Sequence, residues 1–560
     1  MPPDSMNLMI GGEAGQGLVT IGQVLAKALV KSGYHILVTQ DYMSRVRGGH
    51  NTFTIRFSPR ELDSPCEGVD LLVALNQQTL DRHAGELNPG AVVLADTGLS
   101  CGQAPCLGVP YDDLAGKRYL NTVALGASAH LLGLDLDLVA ETLEKAIGMK
   151  KDGKVVEENR QALGKAYEWA AGQEHGLRLP GPAKQDGPRM VLGGNQAIAL
   201  GALAGGLKFL AFYPMTPSTA IALTVIAHAA QMGVVYEQAE DEIAAVNMAL
   251  GASYAGAPAM VCTSGGGYAL MTEGVSLAGM TETPLVIAIA MRPGPATGLP
   301  TRTEQGDLLF ALHGGHGEFP RAILAPGSVK QCFAAGYRAL HLAEKYQGPV
   351  FILTDQFLAD SLRALKPFDL GGLAPVRPGG GGASGGDYRR YEITEDGISP
   401  RRLPGMGPEL VVADSDEHDQ DGHITEDLEL RVRMNHKRLA KEKGLRSEAE
   451  PPAFQGPEDA DTLLVSWGSS LGPVAEAARR LRGEGQGVAT CHFSQVWPLE
   501  PKQFVERLAK AGQVVVIEGN ATGQFAGLLN KEAGIKVQRF IGRCDGLNLT
   551  PEYILRQLAS

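Results

Sequence analysis

Short apolar runs recur along the chain, most of them followed by a glycine-containing turn and then by apolar positions at helical spacing. Asn7-Leu-Met-Ile10 leads into Gly11-Gly-Glu-Ala-Gly-Gln-Gly17, and then Leu18, Val19, Ile21, Val24, Leu25, Leu29 and Val30 mark one face of a helix. Further strands are predicted at Leu71–Leu75 and Ala91–Ala95. The same alternation gives strands at Phe209–Tyr213, Val234–Glu237, Ala259–Thr263, Leu285–Ala290, Ala322–Leu324 and Val350–Thr354. It returns at Thr462–Val465, Ala489–His492 and Val514–Glu518. Strands alternating with helices imply parallel sheets covered on both faces, so the expected fold class is α/β with several doubly wound domains.

Two stretches interrupt the alternation. Gln173–Arg189 is polar, with Pro and Gly, and reads as a linker. Pro378–Gly386 is almost all glycine, cannot pack a core and reads as a flexible connection into a charged stretch. The expected divisions are 1–185, 186–370, a Gly-rich linker with a charged insert over 371–455, and 456–560, in keeping with the total of 560 residues.

Composition narrows the function. Hydrophobic residues are 44% and charged residues 20%, enough to bury cores. Glycine is abundant, 72 residues against a usual ~7%, but without the period of collagen. A net charge of -12 argues against nucleic acid, which needs a basic surface. The seven cysteines are scattered, with no C-x-x-C, and read as free thiols in a reducing compartment. Iron–sulfur and zinc sites need tighter groupings, so a metal centre serving electron transfer would sit on another chain. No secretory pattern opens the sequence and no apolar stretch reaches ~18 residues, so a cytoplasmic protein without a membrane span is expected.

Several segments carry candidate chemistry. The Gly11–Gly17 turn opens a helix and could face an anion, but its spacing is not the strict dinucleotide fingerprint, and packing of turn on helix explains it at least as well. Asp41–Asn51, with Arg45 and Arg47, reads as an exposed loop open to an anionic ligand, a solvated turn being the commoner case. Glu417-His-Asp-Gln-Asp-Gly-His423 invites a metal but fits no EF-hand, so a solvated loop is expected. The most informative stretch is Tyr236-Glu-Gln-Ala-Glu-Asp-Glu242, which delivers carboxylates to a small-residue helix, followed by the strand Met260-Val-Cys-Thr263 and the turn Ser264-Gly-Gly-Gly267. Acids in a first turn favour the helix dipole and often do nothing more.

Glu242 and Gly251, nine residues apart, nevertheless resemble the pyrimidine-binding domain of thiamine-diphosphate enzymes. More narrowly, the chain resembles the α subunits of 2-oxoacid:ferredoxin oxidoreductases in the form with the γ domain fused in front. Gly11–Gly17, Tyr213-Pro-Met-Thr-Pro-Ser-Thr219, Arg292-Pro-Gly-Pro-Ala-Thr-Gly-Leu-Pro-Thr301 and Glu518-Gly-Asn-Ala-Thr-Gly-Gln524 match in order. The resemblance implies a γ-type domain over 1–185, a pyrimidine-binding domain over 186–370 and a transketolase C-terminal-like domain over 456–560. It implies Glu242 as the catalytic acid, with Glu240 the runner-up. It also implies Thr216, Arg292 and Thr301 at the substrate, and Tyr213, Pro214, Thr216, Glu242, Ser264 and Gly265 at the cofactor. The chemistry agrees: a carboxyl bonded to the aminopyrimidine must hold or share a proton near neutral pH, which burial favours and a helix N-terminus opposes. Arg292 offers the planar fork that suits a carboxylate.

This sequence has no Gly-Asp-Gly and no Asn-Asn, the marks of the magnesium and diphosphate domain in that family. The resemblance therefore implies a β subunit that supplies Mg2+, the diphosphate grip and a [4Fe-4S] cluster, with no metal on this chain. An (αβ)2 assembly, ferredoxin as electron acceptor and coenzyme A as co-substrate follow, with 2-oxoglutarate the expected 2-oxoacid from the Arg292–Asp307 segment. The first block, through its glycine turn or its Arg45/Arg47 loop, is then expected to cap coenzyme A. Pyruvate or another 2-oxoacid, a nicotinamide-dependent dehydrogenase with Asp41 on the ribose, and a non-catalytic assembly subunit are the alternatives.

Overall fold

The apolar run at Asn7–Ile10 is the centre of a longer strand, Met6–Glu13, and Leu18–Lys31 is the helix that follows it. In the computed structural model, residues 4–43, 49–102, 105–147, 153–184, 187–379 and 388–560 are described. They form two compact units: one takes the chain up to Leu192 with Ser361–Pro367 and Thr550–Glu552, the other takes the remainder.

The first unit is built on an eight-stranded mixed sheet. Met6–Glu13 pairs in parallel with Val69–Ala74, which continues through Leu87–Asp96 to Cys106–Val109. On its other side the strands are antiparallel: His50–Ser58, His35–Asp41, Leu362–Leu365 and Met190–Leu192. The sequence did not announce His35–Asp41 and His50–Ser58. Asp41 closes one strand while His50 and Asn51 open the next, which corrects the expected loop at both of its ends. Arg45 and Arg47 lie outside the described residues.

The glycine turn is packed. A Cβ on Gly11 would lie 2.3 Å from Thr79 Cγ2, and one on Gly17 would lie 2.4 Å from Asn121 Nδ2. The antiparallel strand His50–Ser58 separates Met6–Glu13 from His35–Asp41. Asp41 therefore does not stand on the adjacent parallel strand that a dinucleotide fold requires, and the nicotinamide alternative loses its geometry. Cys101 and Cys106 are joined as a disulfide, so the expectation of free thiols fails for that pair.

The second unit holds two sheets. One runs Gln495–Trp497, Ala322–Leu324, Pro349–Asp355, Leu285–Met291, Ala259–Thr263, Phe209–Phe212 and Val235–Gln238, parallel except at the first strand. The other runs Ala453–Gln455, Val488–Phe493, Thr462–Trp467, Gln513–Glu518 and Arg539–Gly542. Both contribute to one apolar core, in which Trp467, Phe493 and Phe525 cluster with Ile287, Phe351 and Leu353. No helix among the described residues is long and apolar enough to cross a membrane.

The charged stretch corrects its expectation. From Tyr388 onward it packs, and Leu428–Ser447 is a helix whose Lys437, Arg438 and Lys441 are buried. Lys437 Nζ donates a 2.5 Å bond to the buried Glu282, Lys441 pairs with the same carboxylate, and Arg390 Nη2 donates to the Glu282 carbonyl at 2.8 Å. Glu417, read as solvated, accepts from both Nη atoms of Arg438 and from Arg431, and His418 is buried on the Tyr391 ring. Charge reads as solvent-facing in a sequence; here opposite charges bury together.

Candidate active site

Ligands of open parallel sheets bind at the carboxyl ends of the strands, where the winding reverses. In the second unit that point lies between Phe209–Phe212 and Ala259–Thr263, because the chain runs outward to Val235–Gln238 before crossing back. Every residue expected at the active site, except the outlying Thr301, lies in a loop or helix start within a few residues of such a strand end.

Asp241 sets the phase of the helix Glu242–Tyr254: its Oδ1 accepts from the Ala244 amide at 2.7 Å and caps the helix. Glu242, one residue on, is freed from capping and turned inward. It is 3% exposed, and its Oε1 is buried with no hydrogen-bond partner among the described residues. Glu240 is exposed and does not compete for this role.

Glu242 and Val246, one helical turn apart, face the helix Gly265–Met280. A Cβ on Gly267 would lie 2.6 Å from Glu242 Oε1 and 2.1 Å from Thr263 Oγ1, and one on Gly274 would lie 2.6 Å from Val246 Cγ1. Glycine at 267 thus makes room for the acid. Gly251 has no such neighbour: a Cβ there would meet nothing.

The start of Gly265–Met280 gathers further polar atoms. Ser264, its N-cap residue, is fully buried with an unpartnered Oγ. A Cβ on Gly265 would lie 2.3 Å from Asp307 Oδ2, itself buried and unpartnered. Three unpartnered oxygens, from Glu242, Ser264 and Asp307, therefore converge on one helix terminus, whereas buried polar atoms are ordinarily paired. Burial pushes the Asp307 carboxyl up to about 6, against the pull of Arg292.

The loop after Phe209–Phe212 is held by Asn195 Nδ2 on the Pro217 carbonyl at 2.8 Å and by Ser218 Oγ on the Met215 carbonyl at 2.8 Å. Arg292, at the end of Leu285–Met291, donates from Nη1 to the Thr216 carbonyl at 2.6 Å. The structure thus brings Thr216 and Arg292 together, and Glu242, Ser264 and Gly265 together. Tyr213 and Pro214 are exposed on the same loop. Thr301 is half-buried further along the chain, with no side-chain hydrogen bond to Arg292 or Thr216 among the described residues.

Asp307 and Gln305 were missed. Asp307 precedes the apolar run Leu308-Leu-Phe-Ala-Leu312 and so reads as an ordinary cap, yet its side chain makes no cap bond. Gln305 has no sequence signal at all. It is 2% exposed and fastened to the glycine turn after Gln513–Glu518: its amide donates to the Gly519 carbonyl at 2.7 Å, and its Oε1 accepts from the Gly519 amide at 2.8 Å. Asn520 Nδ2 and Gln524 Nε2 donate to the carbonyls of Gln305 and Gly306.

A parallel-sheet crevice with a buried, partner-seeking carboxyl and a glycine-lined helix start defines an α/β enzyme site. Residues 200–437 match the family model described as pyruvate flavodoxin/ferredoxin oxidoreductase, thiamine diphosphate-binding, and residues 7–169 match that described as pyruvate ferredoxin/flavodoxin oxidoreductase. The α subunit of 2-oxoacid:ferredoxin oxidoreductase 2 from Aeropyrum pernix is 33% identical over 97% of this chain and 95% of its own length. The 2-oxoglutarate oxidoreductase subunit KorA of Mycobacterium tuberculosis is 29% identical over 96% and 88%. Among solved structures, 2-oxoglutarate:ferredoxin oxidoreductase from Magnetococcus marinus, with 2-oxoglutarate, coenzyme A and succinyl-CoA bound, superposes with a TM-score of 0.94 at 32% identity, covering 100% of this chain and 99% of that one. The chain belongs to the 2-oxoacid:ferredoxin oxidoreductase α subunits, and is an oxidoreductase subunit with a thiamine-diphosphate-binding domain.

Proposed function

We propose that this chain is the α subunit of a 2-oxoglutarate:ferredoxin oxidoreductase, catalysing coenzyme A-dependent oxidative decarboxylation of 2-oxoglutarate to succinyl-CoA and CO2, or its reverse. The observation that carries the reading is the buried, unpartnered Oε1 of Glu242 at the glycine-lined start of Gly265–Met280. That donor-seeking oxygen fits the aminopyrimidine ring of thiamine diphosphate, which when bound supplies a carbanion-stabilising centre for decarboxylation. Glu242 would hold a proton at the ring nitrogen. Ser264 and Gly265 would line the ring's edge, with Tyr213, Pro214 and Thr216 beside it. Arg292 would take the 2-oxoacid carboxylate through its fork, and Thr301 would close the substrate pocket.

The choice of 2-oxoglutarate draws on the Magnetococcus and Mycobacterium relatives, whose names specify it. The Aeropyrum relative is named only for 2-oxoacids, so pyruvate or another 2-oxoacid is the second reading. A β subunit would bring Mg2+, the diphosphate grip and a [4Fe-4S] cluster, in an (αβ)2 complex that passes electrons to ferredoxin in the cytoplasm. Val235, Tyr236, Ile243 and Met248, exposed beside Glu242 in sequence, supply apolar surface for such a subunit to cover. Within the chain, 1–185 would act as the γ-type domain, 186–370 as the pyrimidine-binding domain, and 456–560 as the transketolase C-terminal-like domain.

The test is 2-oxoacid-dependent reduction of a one-electron dye by the purified complex, with and without coenzyme A, across several 2-oxoacids. Turnover fastest with 2-oxoglutarate, and lowered about 10²–10⁴-fold in Glu242→Gln, is expected. Unchanged turnover in that variant would return the chain to the role of an assembly subunit.

A further inference from the structure

Asp307 stands at the same helix start as Glu242 without being its equivalent. Its carboxyl caps nothing, and its Oδ2 is shut from solvent, unpartnered, and lies where a Cβ on Gly265 would be. Arg292 is near enough for the two charges to act on one another, yet among the described residues no direct ion pair joins them. Arg292 makes one hydrogen bond among the described residues, from Nη1 to Thr216, so the rest of its fork is unused. A guanidinium with unused donors and a carboxyl with an unpartnered oxygen thus stand within electrostatic reach of one another. A 2-oxoacid has the matching groups: an ionised carboxylate for Arg292, and a second oxygen that accepts from a carboxylic acid.

The segment carrying Asp307 is rigidly placed. Gln305 Nε2 donates to the Trp467 carbonyl at 3.0 Å, Leu309 N donates to Gln524 Oε1 at 3.0 Å, and the bonds from Gly519, Asn520 and Gln524 fix the backbone between them. The backbone that carries the carboxyl is thereby fixed beside the helix start. The charged or polar groups facing it are Arg292 from the strand end, Glu304 on its own loop and the helix start at Ser264–Gly265.

Resting on the reading of this pocket as a 2-oxoacid site, we propose that Asp307 is a substrate-binding residue that works as a carboxylic acid. It donates its O–H to the 2-oxoacid held by Arg292, so that binding takes up one proton from solvent. Two carboxylates that share a crevice repel when both are ionised, and a single proton between them removes that cost. No bond to carbon is made or broken in this step: the proton passes from water to Asp307 on binding and returns on release.

The experiment uses the purified α–β complex. KM for 2-oxoglutarate is measured with a one-electron dye from pH 6 to 8, for wild type, Asp307→Asn and Asp307→Ala. One required proton makes the wild-type KM climb by up to about tenfold per pH unit above the acid's own range. Asparagine keeps a donor and cannot ionise, so its KM should be flat across this range. Alanine should be equally flat but several-fold higher. Calorimetry with glutarate, an unreactive dicarboxylate, in two buffers of different ionisation heat should show proton uptake at pH 7 in wild type and none in Asp307→Asn. Parallel KM profiles in wild type and Asp307→Asn, or equal proton uptake, overturn the proposal while wild-type turnover still upholds the 2-oxoacid reading. A wild-type complex that turns over no 2-oxoacid overturns both.

Discussion

The Nη1 of Arg292 donates a 2.6 Å hydrogen bond to the backbone carbonyl of Thr216, tying the end of one central strand to the loop after another. One arm of the guanidinium is spent on the protein and the other is free for a ligand. Lysine has no such fork and cannot do both. Arg292→Lys should therefore raise KM for the 2-oxoacid about 10- to 100-fold, the value of one charge-assisted bond, with a smaller change in kcat. Steady-state kinetics on the complex read this directly.

Gly267 is where a single methyl group would reach the acid itself. Its added Cβ would meet Thr263 Oγ1 at 2.1 Å and Glu242 Oε1 at 2.6 Å, both on buried side chains with little room to retreat. Gly267→Ala should weaken thiamine diphosphate binding and cost about 1–3 kcal/mol of stability by overpacking. Cofactor titration by tryptophan fluorescence and a thermal melt are the checks. Gly251→Ala, with open space around the new methyl, should leave the melt unchanged.

The Glu282 cluster predicts a dependence on acid. Burial alone would raise the Glu282 carboxyl, but Lys441, Lys437 and Arg390 outweigh it and hold the group well below the usual range. A carboxyl depressed in the folded state contributes stability above its unfolded pKa and loses it as pH falls below. Glu282→Gln should melt lower than wild type at pH 7, by about 3 kcal/mol for a broken buried pair. The gap should shrink as pH drops below ~4. Melts of both proteins from pH 3 to 7 decide it.

Gln305 holds the Asp307 segment to the glycine turn, and truncating its side chain would leave the part-buried Gly519 amide without this acceptor, while the Trp467 carbonyl would keep the bond from Ser470 Oγ. A stranded amide costs about 1–3 kcal/mol. Gln305→Ala should lower the melting temperature and raise KM for the 2-oxoacid by roughly tenfold. A melt that moves while KM stays put would confine Gln305 to stability.

Legibility followed the physics of each segment. The inner strands of the second unit were read nearly to the residue, because a buried parallel strand is an unbroken apolar run that ends at a turn, whereas the short edge strands Ala453–Gln455, Gln495–Trp497 and Arg539–Gly542 were not read. His35–Asp41 and His50–Ser58 escaped, since their polar residues mask a strand paired on both edges within a mixed sheet. Glu242 was singled out through its spacing and its motif, and the structure buries it. Asp307 and Gln305 were not singled out: the segment that carries them is placed by bonds from residues more than 200 positions on, such as Asn520 and Gln524, and no local pattern encodes such a pairing. The buried lysines of Leu428–Ser447 misled for a related reason, because Glu282, which neutralises them, is distant in sequence.

The short strand Gln495–Trp497 completes the edge of the parallel sheet by pairing with Ala322–Leu324. A fragment cut before Thr462 would expose that edge as unpaired backbone, together with the apolar face left by Trp467 and Phe493. Such truncates should be recovered as inclusion bodies, so dissecting this polypeptide for crystallography or biosensor use calls for keeping Thr462–Ser560 attached to the sheet it completes.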